Sequence, residues 1–193
     1  YEGPSPSPDG AGSMSDEFLQ SLRDTVRTVP DFPIEGIMFR DITPVLGDPG
    51  LLSRVTNRFA EDMGGLGWRP DAVVGPEARG FIFGPLLAAK LGVGFIPVRR
   101  SGKLPASTRQ VEYNLEYGTN SLEMHDDAIS PGQRIVVIDD LLATGGTVAA
   151  CVELTEAAGA EVVGSLFVIE LIGLGGRERL APTPVHALVE FPA

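Results

Sequence analysis

Residues 134 to 147 read Arg-Ile-Val-Val-Ile-Asp-Asp-Leu-Leu-Ala-Thr-Gly-Gly-Thr, and several kinds of chemistry follow one another along that stretch. Ile135 to Ile138 is an unbroken apolar run rich in β-branched side chains, the pattern of a strand covered on both faces of a parallel sheet. Asp139 and Asp140 stand at its end. Ala143, Thr144, Gly145, Gly146 and Thr147 then offer glycines for a tight turn, two hydroxyls, and the amides of a following helix N-terminus. Such amides cradle a phosphate. A carboxylate pair is repelled by that phosphate but accepts hydrogen bonds from vicinal hydroxyls, so acids and amides together point to a phosphorylated sugar. An ordinary strand-to-helix loop with solvated acids shares the Gly-Gly spacing; only the whole string separates the two readings. The string lacks the Lys of the nucleotide-triphosphate loop and the first Gly of the dinucleotide fingerprint.

Residues like these act only if strands and helices bring them together. Asp71 to Gly75, Gly94 to Val98 and Val162 to Ile169 read as further buried strands, and Val185 to Phe191 alternates like an edge strand. Ser15 is a plausible helix cap, with Phe18, Leu22, Val26 and Val29 at helical spacing before Pro30. Asp48 caps a second helix with Pro49 at its first position, and Leu52, Val55, Phe59 and Met63 form its buried stripe up to Gly64-Gly65. Two more helices follow, from the turn at Pro76 to Phe81 through about Leu91 and from Thr147 to Gly159. Strands alternating with helices predict an α/β fold with a mostly parallel central sheet flanked by helices. The turns after the strands then share one edge, where Arg79, Arg99, Asp139 and the cradle converge. Arg79, beside Gly80, is either a phosphate fork or a surface arginine, and Arg99, Arg100 and Lys103 are either a polyanion site or a solvated basic turn. Residues 31 to 42 are too punctuated by Pro and Gly for regular structure, and residues 106 to 119 read as a polar flap with few core contacts.

The chain has 193 residues, 43% of them hydrophobic and 21% charged, a composition that suits a soluble globular protein. Residues 1 to 13, rich in Pro, Ser and Gly, are expected to be a disordered leader, and residues 14 to 193 a single domain. A net charge of −11 disfavours nucleic acid and anionic membranes as partners, and no apolar run approaches a membrane span. Cys151 is the only cysteine, so a disulfide within the chain and a cysteine metal cluster are excluded, and a reducing cytoplasm is the expected compartment. Within an apolar helix that thiol reads as core packing.

The hydrophobic-Asp-Asp-x-x-x-Thr-Gly-Gly-Thr string resembles the phosphoribosyl pyrophosphate signature of the type I phosphoribosyltransferases. Further segments resemble the adenine-specific branch of that family: Pro30 to Pro33, Gly36 to Pro44, Glu77 to Gly84, Arg99 to Pro105 and Tyr113 to Gly118. The resemblance implies the type I phosphoribosyltransferase fold with a small N-terminal hood that binds the base. It also implies transfer of a phosphoribosyl group from phosphoribosyl pyrophosphate to adenine, giving AMP and pyrophosphate with Mg2+ present. By the same resemblance, Ala143 to Thr147 hold the 5-phosphate and Asp139 with Asp140 faces the ribose. Arg79, Arg99 and Lys103 hold the pyrophosphate. Main-chain groups at Met38 and Arg40 read the adenine edge while Phe39 stacks on it. Glu116 handles the adenine proton, and Tyr117 beside it joins the substrate-binding set. The metal is carried mainly by substrate and water, without a protein cage, and a homodimer is implied. Ser101 departs from the pattern, standing where a second basic residue is common. Transfer to another purine such as xanthine, or a non-catalytic phosphoribosyl pyrophosphate sensor, would share the signature.

Overall fold

The computed structural model describes residues 9–115 and 118–193. The chain divides into two compact units, one ending at Arg54 and the other running from Val55 to Ala193.

The first unit opens with helix α1 (Asp9–Thr25), then strand β1 (Arg27–Val29), strand β2 (Phe39–Asp41), helix α2 (Thr43–Gly47) and the start of helix α3 (Pro49–Leu66). The last proline before α1 is Pro8, and helix begins directly after it, upstream of the expected cap at Ser15. Helix also ends sooner than the apolar spacing suggests. Arg27–Val29 pairs antiparallel with Phe39–Asp41, so part of the punctuated segment is regular after all. The pairing follows from side chains: Arg27 Nε donates to Asp41 Oδ2 at 2.9 Å and Arg40 Nη1 to Thr28 Oγ1 at 2.5 Å. Asp41 also accepts the Thr43 amide at 2.9 Å, and that amide, with Arg27 next, lowers its pKa to about 2. Asp48 caps α3 as expected, accepting the amides of Gly50 at 2.8 Å and Leu51 at 3.0 Å.

The second unit holds β3 (Ala72–Pro76), α4 (Gly80–Leu91), β4 (Gly94–Arg100), β5 (Thr108–Leu115), β6 (Gly118–His125) and β7 (Arg134–Leu142). It continues with α5 (Gly146–Ala157), β8 (Glu161–Ile172), α6 (Gly176–Leu180) and β9 (Val185–Pro192). Its seven strands lie in the order β5-β6-β4-β3-β7-β8-β9. From β4 to β9 all neighbours are parallel, and the β5–β6 hairpin joins antiparallel along β4. The sheet is therefore mixed, with the expected parallel strands at its centre and β9 at the edge.

Chain direction reverses inside this sheet. From β3 the chain moves to β4 on one side, and from β7 it moves to β8 on the other. Right-handed crossovers then put α4 and α5 on opposite faces. The carboxyl ends of β3 and β7 open a crevice between the two departures, the position where α/β sheets bind ligands. Ile135 and Val137 pack toward α5 with Cys151 and Leu154 in one buried cluster, while Val136 and Ile138 are buried outside it. Cys151 is fully buried, and burial followed by the charge of Asp139 raises its thiol pKa, as suits a packing role.

The flap is more firmly built than its polarity suggests. Its stem pairs with β6 along eight residues, from Thr108 opposite His125 to Leu115 opposite Gly118, and Leu122 and Met124 of β6 are buried. Arg109 Nη1 donates to the Ala157 carbonyl at 2.8 Å and ties β5 to α5. Among the described residues no helix is long and apolar enough to cross a membrane.

Candidate active site at the β3–β7 crevice

The cradle is a direct continuation of β7. Gly145 takes a left-handed conformation, with φ 78°, that turns the chain into α5. The first amides of that helix have no partner inside it, so the dipole and the N–H groups face the crevice together. Thr144 is exposed and Gly145 and Gly146 are buried. Helix α6 holds this shape from behind. A β-carbon on Gly176 would lie 2.4 Å from the Ala143 carbonyl oxygen, so only glycine lets α6 approach the cradle this closely.

The two acids turn to different faces of β7, while the charge of Asp140 still bears on Asp139. Strand alternation turns Asp139 to the α5 face, where its charge bears on Cys151, and turns Asp140 to the other face. Asp140 is only 3% exposed and accepts a hydrogen bond from Arg79 Nε, an ion pair at the start of α4. Burial pushes the Asp139 carboxyl well above the usual carboxylate range, and the charge of Asp140 adds to it. Burial raises Asp140 as well, with Arg79 pulling against it.

The cations are gathered by acids that the sequence does not single out. Arg99 Nε donates to Glu77 Oε2 at 2.7 Å, two residues before Arg79, and Arg99 Nη1 reaches the Lys103 carbonyl at 3.3 Å. Lys103 itself is exposed. Its loop rests on Glu123 of β6, which is 2% exposed and accepts the amides of Lys103 at 2.8 Å and Leu104 at 2.9 Å. Burial alone would raise the Glu123 pKa; the loop amides outweigh it and leave the carboxyl below its ordinary value. Tyr113 of the hairpin brings its hydroxyl to 3.5 Å from Thr147 Oγ1, so the stem of the flap meets the cradle.

Residues 48–181 match the phosphoribosyl transferase domain. Adenine phosphoribosyltransferase of Chloroflexus aurantiacus is 55% identical over 172 residues, covering 89% of this chain and 98% of that one. The chain belongs to the adenine phosphoribosyltransferase family. The crystal structure of adenine phosphoribosyltransferase from Thermoanaerobacter pseudethanolicus superposes with a TM-score of 0.86 at 48% identity, covering 90% of this chain and 99% of that one. That of the Saccharomyces cerevisiae enzyme, complexed with D-2,5-dideoxy-2,5-imino-altritol 1,6-bisphosphate and adenine, gives 0.87 at 40% identity over 90% and 99% of the two chains.

The segment that the adenine phosphoribosyltransferase pattern assigns to the base lies in the first unit. Phe39 and Arg40 are half-buried on β2, and Met38 before them is 42% exposed. The Phe39 ring meets Phe32 edge-on, with centroids 5.1 Å apart. Phe32, Ile34 and Ile37 leave large apolar surface open in the same loop, which is closed by Asp31 Oδ1 accepting the Gly36 amide at 2.7 Å. Glu116 and Tyr117, the other residues the pattern supplies, lie outside the described residues. Glu77 and Tyr113 fall inside segments that resemble the family, and that is the signal that marks them in the sequence. Glu123 carries no such signal: it stands between Leu122 and Met124 as a polar residue of an alternating strand would.

Proposed function

We propose that this chain transfers the phosphoribosyl group of 5-phosphoribosyl 1-pyrophosphate to N9 of adenine, releasing pyrophosphate and forming AMP for purine salvage. The observation that carries this reading is the meeting of the amide cradle, Asp139, and the Arg79–Asp140 pair at the point where the sheet reverses direction. The relatives' names and the adenine in the yeast structure support the choice of base.

In this reading the amides and hydroxyls of Ala143 to Thr147 hold the 5-phosphate. Arg79, Arg99 and Lys103 take the pyrophosphate, and the bond from ribose C1 to its oxygen breaks as N9 bonds to C1. Positive charge grows on the sugar during that exchange. Asp139, ionised, stabilises it at short range in a site where burial strengthens the field. Phe39 stacks on the adenine, and main-chain groups of Met38 and Arg40 select its 6-amino edge, with Tyr117 completing the substrate-binding set. Glu116 accepts the N9 proton as the new bond forms. Glu116→Leu is therefore expected to lower kcat far more than it weakens binding of the sugar substrate, and equal losses in both would sink that role.

Mg2+ fits this site as a companion of the substrate. Among the described residues no group of three His, Cys, Asp or Glu side chains could hold a metal. Asp139 and Asp140 offer hard oxygens, which suits an ion that brings most of its ligands as phosphate and water. When bound, it would neutralise charge on the leaving pyrophosphate. The working form is a homodimer in the cytoplasm, in keeping with the family pattern and the single buried thiol; light scattering of the purified chain tests the assembly.

The decisive assay measures pyrophosphate release with Mg2+ and the sugar substrate, offering adenine, hypoxanthine, guanine and xanthine separately. Release with adenine alone is the expected outcome. Release with xanthine or another 6-oxo purine would move the base assignment, and sugar binding without release from any base would make the protein a sensor.

A further inference from the structure

Two loops at this sheet edge are built to bind an anion, and one of them is already filled. Gly102 has φ 80°, and a left-handed glycine followed by consecutive amides forms a concavity that attracts negative charge. The anion there is Glu123. One of its oxygens, Oε1, accepts both the Lys103 and Leu104 amides, at 2.8 and 2.9 Å. The other, Oε2, lies 3.4 Å from Thr108 Oγ1 and 3.3 Å from Gln110 Nε2, both on the opposing hairpin strand. Glu123 is also the register partner of Arg99, whose Nη1 reaches the Lys103 carbonyl at 3.3 Å. The loop is thus held by its amides from one side and by its carbonyl from the other.

With its amides occupied, this loop has only the Lys103 side chain left to offer a ligand. We propose that Glu123 is a positioning residue for substrate binding: it fixes the Gly102–Leu104 loop so that Lys103 meets the pyrophosphate. The inference rests on the reading of Lys103 as a pyrophosphate contact.

A double-mutant cycle on the full-length protein tests it, with steady-state KM for 5-phosphoribosyl 1-pyrophosphate and for adenine, and kcat, as readouts. Lys103→Ala alone is expected to raise KM for the sugar substrate roughly tenfold. Glu123→Ala alone should raise it to a similar degree with a smaller change in KM for adenine. The double variant should be no worse than Lys103→Ala, because Glu123 acts through that residue. Losses that multiply in the double variant would overturn the positioning role while leaving the Lys103 contact intact. An unchanged KM in Lys103→Ala would instead overturn the contact and the inference with it. If Glu123→Ala does not fold, Glu123→Gln keeps the volume and one acceptor for the amides but sets an amide against Gln110. The same cycle then applies, with the same non-additivity expected and the same multiplication overturning it.

Discussion

Two carboxylates flank two glycine loops at one edge of the sheet, and their environments push them in opposite directions. Glu123 sits inside its loop and accepts two amides, so its pKa falls despite burial. Asp139 stands beside the cradle, accepts the Asp140 amide at 2.9 Å, and its pKa rises because burial and a like charge outweigh that one bond. The left-handed glycines are nearly alike, with φ 80° at Gly102 and 78° at Gly145. Residue type and backbone shape are therefore shared; what differs is whether an internal anion fills the nest. A filled nest is structure. The Gly145 nest, with Asp139 beside it, is where we propose that the phosphate and the sugar bind.

The contrast breaks most severely at the open loop. Asp139→Asn should lower kcat/KM for the sugar substrate on the order of 10³-fold, since it removes the charge that faces the developing cation. The same change should raise the melting temperature at neutral pH. Because the folded pKa of Asp139 lies above its unfolded value, the protonated acid favours the fold at low pH, and that contribution is lost as pH rises through the folded pKa. The gain from Asn should accordingly vanish below about pH 3, where Asp139 is neutral in both the folded and the unfolded chain. Glu123→Gln has the opposite sign. A depressed folded pKa contributes stability above the unfolded value and loses it as pH falls through the folded one, so Gln should melt lower at neutral pH and approach the wild type in acid. Melting curves at the two pH values check both, and a shift of the same sign in both variants would remove the contrast.

Gly176→Ala tests whether the open nest depends on its backing. A β-carbon 2.4 Å from the Ala143 carbonyl must displace the cradle, and a displacement near 1 Å costs on the order of 10² in kcat/KM. Activity within a few-fold of wild type would show that the loop yields without consequence. The smallest effect is expected for Tyr113→Phe. At 3.5 Å from Thr147 the hydroxyl makes a weak hydrogen bond at best, so kcat/KM should change by about twofold.

Much of this was legible in the sequence because it depends on local order. The apolar run Ile135 to Ile138, the acids after it and the Gly-Gly turn are consecutive, and each predicts its own geometry. The Asp48 cap and the edge strand β9 were read the same way. Short-range reading failed where pairing partners are distant. Phe39–Asp41 becomes a strand only because Arg27–Val29 lies beside it, and the polar stem of the flap is ordered by β6 and α5.

Sequence alone determined the strand-loop-helix that presents the amide cradle, since turn chemistry and helix ends are properties of neighbouring residues. Tertiary structure alone decided the partners of the charged side chains around the crevice. It gave Asp140 to Arg79 and Arg99 to Glu77, and it seated Glu123 in the Lys103 loop. Those pairings join residues 61, 22 and 20 positions apart, and no local rule reaches so far. A buried charge takes whichever partner the packed fold brings within hydrogen-bond distance, because leaving it unpaired costs more than any local preference can offset.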